Sequence, residues 1–318
     1  MHTLLLLAAL QTVAPEPTAE ASAPEPALER VHLLGASVSA GFGLSKELEV
    51  QFDLADFLPL ALGDSAGTIS DGASSGFHRD PRNTGREQVE EALAAEPTAV
   101  VAVDFLFWYA YGFRRSCESR EELLEVGLAA LERLDCPVLV GDLPDMSAAT
   151  GGEPPFPGSR TMLVEAQIPD LACLERLNSR IHAWAGEREQ VHVYPLAHLT
   201  RQTRAGGTLE LRGNRWDEER KAGLLQADLL HATVAGAAAM VVSIADALER
   251  AGLVAAERVE WSADELVARA IEKTRPERER QRERRREAEE RRRARNERRK
   301  QEEREEQDEL ALPTRSGA

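Results

Sequence analysis

Two short stretches carry residue types suited to nucleophilic chemistry, and they stand far apart in the chain. The first is Val31-His-Leu-Leu-Gly-Ala-Ser-Val-Ser-Ala-Gly-Phe-Gly43. Its apolar run stops at Gly35 and small residues follow up to Gly41, which reads as strand, tight turn and helix start. A hydroxyl in such a turn sits beside the unpaired N–H groups of a helix N-terminus, which favour developing negative charge. The plainer role for Ser37 or Ser39 is to cap that helix. The second stretch, Asp228-Leu-Leu-His231, spaces a carboxylate and an imidazole at i, i+3. On a turn, the carboxylate can hold one ring nitrogen and stabilise the imidazolium while the other nitrogen faces outward. Such a pair needs a nucleophile, and Ser37 is the natural one.

The elements between them must bring the two together. Continuous apolar runs at 99–107 and 137–142, and a short one at 191–194, read as buried parallel strands. Helical periodicity covers 86–95, 121–134, 170–186 and 235–251, with a broken helix over 44–62. Residues 63–85, rich in Gly, Ser, Asp and Asn, read as a long connection, and 201–217 as irregular. Strands alternating with helices imply a parallel sheet covered on both faces, with ligands at the carboxyl ends of its strands. Ser37, the segment after Asp104, and Asp142 all fall at such ends.

The 318 residues suffice for one sizeable domain with appendages. The net charge of −16 argues against nucleic acid or an anionic membrane as the main partner. Cys117, Cys136 and Cys173 form no C-x-x-C pair, so no zinc site is expected. One disulfide with a thiol left over fits an oxidising compartment without the pair being defined, while Cys136 and Cys173 read as small core residues. Residues 1–21 resemble a signal peptide, which implies a secreted or periplasmic protein; without cleavage it would be cytoplasmic. No other stretch is long and apolar enough to span a bilayer. A Pro/Ala-rich linker over 22–28 leads into the body, 29–254, and a tail, 255–318. From about 275 to 309 the tail is almost entirely Arg, Glu and Gln with opposite charges at i, i+3 and i+4. It should form a solvated rod of roughly 50 Å, with Arg triplets at 284–286 and 291–293 as a point of interaction for an anionic partner.

Gly35-Ala-Ser-Val-Ser-Ala-Gly41 resembles the first block of the GDSL/SGNH hydrolases, G-D-S-x-S/T-x-G, and Asp228-Leu-Leu-His-Ala-Thr-Val-Ala-Gly236 resembles their last block, D-x-x-H-P followed by Gly. Asn178 falls where relatives often carry a Leu-Asn pair. The likeness covers about 29–252. It implies a flavodoxin-like three-layer α/β/α sandwich, ester or acyl hydrolysis of a small-molecule substrate without metal or organic cofactor, Ser37 as nucleophile, His231 as base and Asp228 as its orienter. By the same likeness Gly76, or less aptly Gly72, supplies an oxyanion donor.

The departures are Ala36 in place of Asp and, in place of the G-x-N-D block with its oxyanion Asn, Asp104-Phe-Leu-Phe-Trp108. Trp108 and Asn214 are the candidates to replace that donor. Asp104 either orients substrate or is a strand-end carboxylate that caps a neighbouring helix or pairs with an Arg. Loss of one oxyanion donor costs about 10²–10³ in rate, so the expectation is a slow serine esterase. The rival is a degenerate relative that binds an acylated or carbohydrate ligand without cleaving it. A nucleotide-binding reading of the Gly35 turn fails on spacing, which is not G-x-G-x-x-G. His78, His192 and His198 read as solvated or core groups.

Overall fold

The computed structural model describes residues 28–114, 116–154 and 161–310, with side chains described as far as 304. The leader, the linker up to 27 and the last eight residues lie outside the described residues. Five strands form one parallel sheet: β1 (Leu28–Leu33), β2 (Ala66–Asp71), β3 (Ala99–Ala102), β4 (Val138–Gly141) and β5 (Val191–Tyr194), in the order β2-β1-β3-β4-β5. That is the doubly wound, flavodoxin-like order, whose switch point lies between β1 and β3. A small antiparallel hairpin, β6 (Leu209–Leu211) and β7 (Asn214–Trp216), stands apart from the sheet.

The helices are α1 (Ser45–Leu48), α2 (Leu54–Leu62), α3 (Pro81–Ala94), α4 (Phe107–Ala110), α5 (Cys117–Leu131), α6 (Leu171–Gly186), α7 (Leu196–Arg204), α8 (Glu218–Ala222), α9 (Val234–Arg250) and α10 (Ala263–Leu310). Alternation along the strands sorts the core into two layers. Val31, Leu33, Val101 and Leu139 pack with α2 and α9 on one face. Val100, Ala102, Val138 and Val140 pack with α3, α5 and α6 on the other. Capping side chains start most of the long helices: Asp80, Ser116, Asp170 and Thr233 each accept an N–H from the first turn of the helix they precede.

Several expectations are corrected. The 63–85 connection contains β2, a polar edge strand with one neighbour, which has no apolar face to declare it. The 99–107 run ends as a strand at Ala102, turns, and continues as α4, whose aromatic residues are buried. The 201–217 stretch is the end of α7 plus the hairpin. Cys173 is a buried disulfide partner of Cys117, joining the N-termini of α5 and α6, while Cys136 is free. None of the described helices is long and apolar enough to cross a membrane.

Residues 256–274, counted with the tail in the sequence division, pack into the body. Leu266 and Ala270 on α10 are fully buried among the core residues of α2 and α9. Asn214 fixes the entry to this helix, accepting Ala263 N–H at 2.8 Å and donating to the Trp261 carbonyl at 2.6 Å. Lys273 pairs with Asp56 and Arg282 with Glu49. Beyond that point the helix carries i, i+4 pairs such as Arg291–Glu287 and Arg298–Glu302 on an exposed surface, and its 48 residues extend about 70 Å at 1.5 Å each. Leu266→Ala should therefore lower unfolding free energy in urea by about 2–4 kcal/mol, whereas alanine at the exposed Arg298 should change it by less than about 0.5 kcal/mol.

Candidate active site

After β1 the chain makes one helical turn, closed by Ala40 N–H to the Ala36 carbonyl at 3.0 Å and Phe42 N–H to the Ser37 carbonyl at 2.9 Å. The opening N–H groups of such a turn have no partner within it. Asp104, at the end of β3, supplies one from across the sheet. Its Oδ1 accepts Ala36 N–H at 2.9 Å and the Ser39 hydroxyl at 2.5 Å, and its Oδ2 accepts Val38 N–H at 2.9 Å and Ser39 N–H at 3.2 Å. Burial pushes the Asp104 carboxyl above the usual carboxylate range, and these four hydrogen bonds pull against that shift. Asp104 is thus the cap, and Ser39, one of two candidate caps in the sequence, is a donor to it.

Gln88 on α3 grips the residue before the turn. Its side-chain amide accepts Gly35 N–H and donates to the Gly35 carbonyl, both at 2.9 Å. A Cβ on Gly35 would lie 2.2 Å from Asp104 Oδ1 and 2.4 Å from Ser39 Oγ, so glycine here is the condition for the carboxylate to reach the turn. Gly41, at φ +64°, lets the backbone pass against Phe52, whose carbonyl would be 2.0 Å from any Cβ. Among the described residues, the Ser37 N–H has no hydrogen-bond acceptor, while its neighbours at 36, 38 and 39 are all taken by Asp104.

The opposite wall is the loop before α9. Asp228 Oδ1 accepts the N–H groups of Leu230 and His231 at 3.0 Å each, and Leu229 takes the left-handed conformation (φ 55°) that closes this loop. Asp228 Oδ2 lies 2.7 Å from His231 Nδ1, and His231 Nε2 lies 2.9 Å from Ser37 Oγ. A carboxylate accepts only, so the ring proton resides on Nδ1 and Nε2 accepts from the hydroxyl. Burial alone would raise the Asp228 carboxyl; the hydrogen bonds and charge of His231, with the two backbone N–H groups, outweigh it and hold the carboxyl below its ordinary value. Phe42 lies against the imidazole, ring centroids 4.4 Å apart. Gln226 ties the loop to the Ser37 turn, donating to the Phe42 and Ala232 carbonyls at 2.7 Å.

Ser37, His231 and Asp228 are thereby brought together over the turn that Asp104 holds, and the remaining candidates make contacts of their own. Gly76 N–H faces Ser74 Oγ at 3.2 Å at the head of a short 3-10 turn, and Gly72 N–H pairs with the Leu33 carbonyl in the sheet. Trp108 packs against Phe107 and His78. The Asn214 amide is spent on α10, and Asn178 clamps Leu143 through both its N–H and its carbonyl. Asp142 caps α7 at Ala197 N–H, 2.6 Å.

Over Ser37 lies a small cavity of about 80 Å³, with Phe107, Pro144, Met146 and Leu230 in its wall. Tyr111 holds the Pro144–Met146 segment through its hydroxyl, and Arg204 bridges Asp145 to Leu229. In the sequence the aromatic run Phe105, Phe107, Trp108, Tyr109 and Tyr111 reads as core whose end could wall an apolar pocket; Phe107 does line this cavity, while Pro144, Met146 and Leu230 carry no such signal. Among the described residues no group of three or more His, Cys, Asp or Glu side chains is arranged to hold a metal.

No family model matches the sequence, and no curated protein matches it. Solved structures similar in chain course include TesA (17% identity, TM-score 0.43, 70% of this chain and 99% of that one). The psychrotrophic esterase EstA from Pseudoalteromonas (11%, 0.43, 70% and 97%) is another. A third is the C-terminal catalytic domain of Streptococcus pneumoniae peptidoglycan O-acetyltransferase A (13%, 0.41, 74% and 98%).

Asp104→Ala removes the one acceptor for three backbone N–H groups and a hydroxyl, each worth about 1–3 kcal/mol when buried and unpaired. The expected outcome is a loss of more than about 3 kcal/mol in urea unfolding. A loss below about 1 kcal/mol would show that the turn holds without it.

Proposed function

We propose that the chain is a serine hydrolase of SGNH/GDSL type that cleaves a carboxylic ester of a small molecule. The observation that carries this reading is the continuous line of contacts from Asp228 Oδ2 through His231 to Ser37 Oγ, 2.7 and 2.9 Å, opening on an apolar cavity. Ser37 Oγ attacks the ester carbonyl while its proton passes to His231 Nε2, and Asp228 stabilises the imidazolium. The tetrahedral oxyanion is met by the Ser37 N–H. The leaving alcohol takes the proton from His231. Water, deprotonated by the same imidazole, then attacks the acyl carbonyl, and as the bond to Ser37 Oγ breaks His231 returns that proton to Oγ and the acyl group leaves as a carboxylic acid. No metal or organic cofactor enters these steps.

With a single free turn amide in place of a fuller oxyanion hole, turnover should be slow, by about 10²–10³ for each donor missing. Esters with good leaving groups suit such a site best. The Cys117–Cys173 bond supports export to an oxidising compartment, and the exposed Arg/Glu segment of α10 is the surface offered to a partner. A second reading, a ligand-binding relative that does not turn over, is favoured by the absence of an Asn or Gln side chain from the described lining of the cavity.

The test is hydrolysis of p-nitrophenyl acetate by the full chain. Wild type should exceed Ser37→Ala and His231→Ala by about 10³-fold or more in kcat/KM. Equal rates for wild type and Ser37→Ala would refute the hydrolase reading and leave the binding one.

A further inference from the structure

Helix α7 carries Leu196, Leu199, Thr200 and Thr203 at i, i+3, i+4 and i+7, yet none of its residues is buried. An apolar helix face left half-open inside a domain faces a space instead of a neighbour. That space is a second cavity of about 90 Å³ between α7, the β6–β7 hairpin and one face of α9 at Gly236, Ala239, Met240 and Ser243. Among the described residues no charged side chain lines it. At its sheet end Tyr194 and Ser243 hydrogen-bond each other at 2.5 Å, and Ser243 donates on to the Met240 carbonyl at 2.7 Å. The polar atoms at that end are satisfied and most of the remaining wall is apolar, which disfavours a sugar hydroxyl, whose burial without a partner is unfavourable.

The cavity over Ser37 and this second one share a partition. Leu196, Thr200, Leu225, Ala232 and Met240 border both. The two spaces are therefore one side chain apart, and Met240 is unbranched with three rotatable bonds, the side chain most easily moved aside.

We infer that the two cavities form one acyl tunnel, gated by Met240, that takes a linear saturated chain of roughly six to eight carbons from an ester held at Ser37. Each cavity is near half the volume of an apolar cavity that holds benzene, about 150 Å³. The lined stretch of α9, residues 236–243, runs about 10 Å, the length of roughly eight methylenes. Each methylene buried there is worth about fourfold in affinity.

The tunnel rests on Ser37 being the site of acylation, and the two claims separate in one experiment. The full chain is assayed with p-nitrophenyl acetate, butyrate, hexanoate and octanoate. kcat/KM should rise with chain length to hexanoate or octanoate. Ala239→Phe, which fills the distal cavity, should lower the octanoate-to-acetate ratio at least tenfold; Leu209→Trp, in the hairpin wall, should do the same and serves if the first variant does not fold. An unchanged ratio in the folded variants overturns the tunnel while acetate hydrolysis still supports the hydrolase. If no ester is cleaved, the hydrolase reading fails, and calorimetric titration of octanoate onto Ser37→Ala protein decides the tunnel. A Kd at least tenfold weaker when Ala239→Phe is added supports it; equal affinity or no binding overturns it.

Discussion

A single buried carboxylate organises the turn that carries Ser37. Asp104 gathers three backbone N–H groups and one hydroxyl from the turn after β1. A turn with unpaired amides could not otherwise be buried at the switch point of a parallel sheet. The demand propagates outward. Gly35 must lack a Cβ so that Oδ1 can approach, Gln88 must hold Gly35 from the α3 side, and β3 must end at Ala102 so that Asp104 can turn inward. With positions 36, 38 and 39 held, Ser37 is left pointing at the loop before α9, where Asp228 has already fixed the ring of His231.

The same arrangement sets a conflict at the site. A helix N-terminus favours negative charge because its amides are unsatisfied, and here a fixed carboxylate has taken most of them. On the proposed reading, the turn leaves the Ser37 amide for a developing oxyanion. Stability of the turn and electrostatic stabilisation of a transition state draw on the same donors, and the fold gives most of them to stability. Ser37, His231 and Asp228 are nonetheless in hydrogen-bonding register; on the proposed hydrolase reading the base is in place while oxyanion donors are few.

Much of this was legible in the sequence because it depends on local chemistry. A strand ending in a small-residue turn and an Asp three residues before a His each announce themselves, and their meeting follows from the alternation of strands and helices. Val191–Tyr194 and the helix ending at Gly186 were visible with little error for the same reason. The role of Asp104 was open between two readings, since a carboxylate at a strand end looks the same whether it faces a substrate or a backbone. Gly76, Trp108 and Asn214 resemble donors by position in the chain alone, and each has its place set by a neighbour distant in sequence or by a local turn. The edge strand β2 and the hairpin were hidden because polar, short and half-exposed strands have no apolar period. The docking of α10 was hidden by the Arg/Glu run that follows it, which masks the three turns that carry Leu266 and Ala270.

The central claim is that Ser37 is an activated nucleophile in spite of the carboxylate beneath it. Reaction of the folded protein with a fluorophosphonate, followed by peptide mapping, tests that claim without depending on the substrate. The account predicts stoichiometric modification of Ser37 that is abolished in His231→Ala. Labelling that is absent, or that persists without His231, would contradict it.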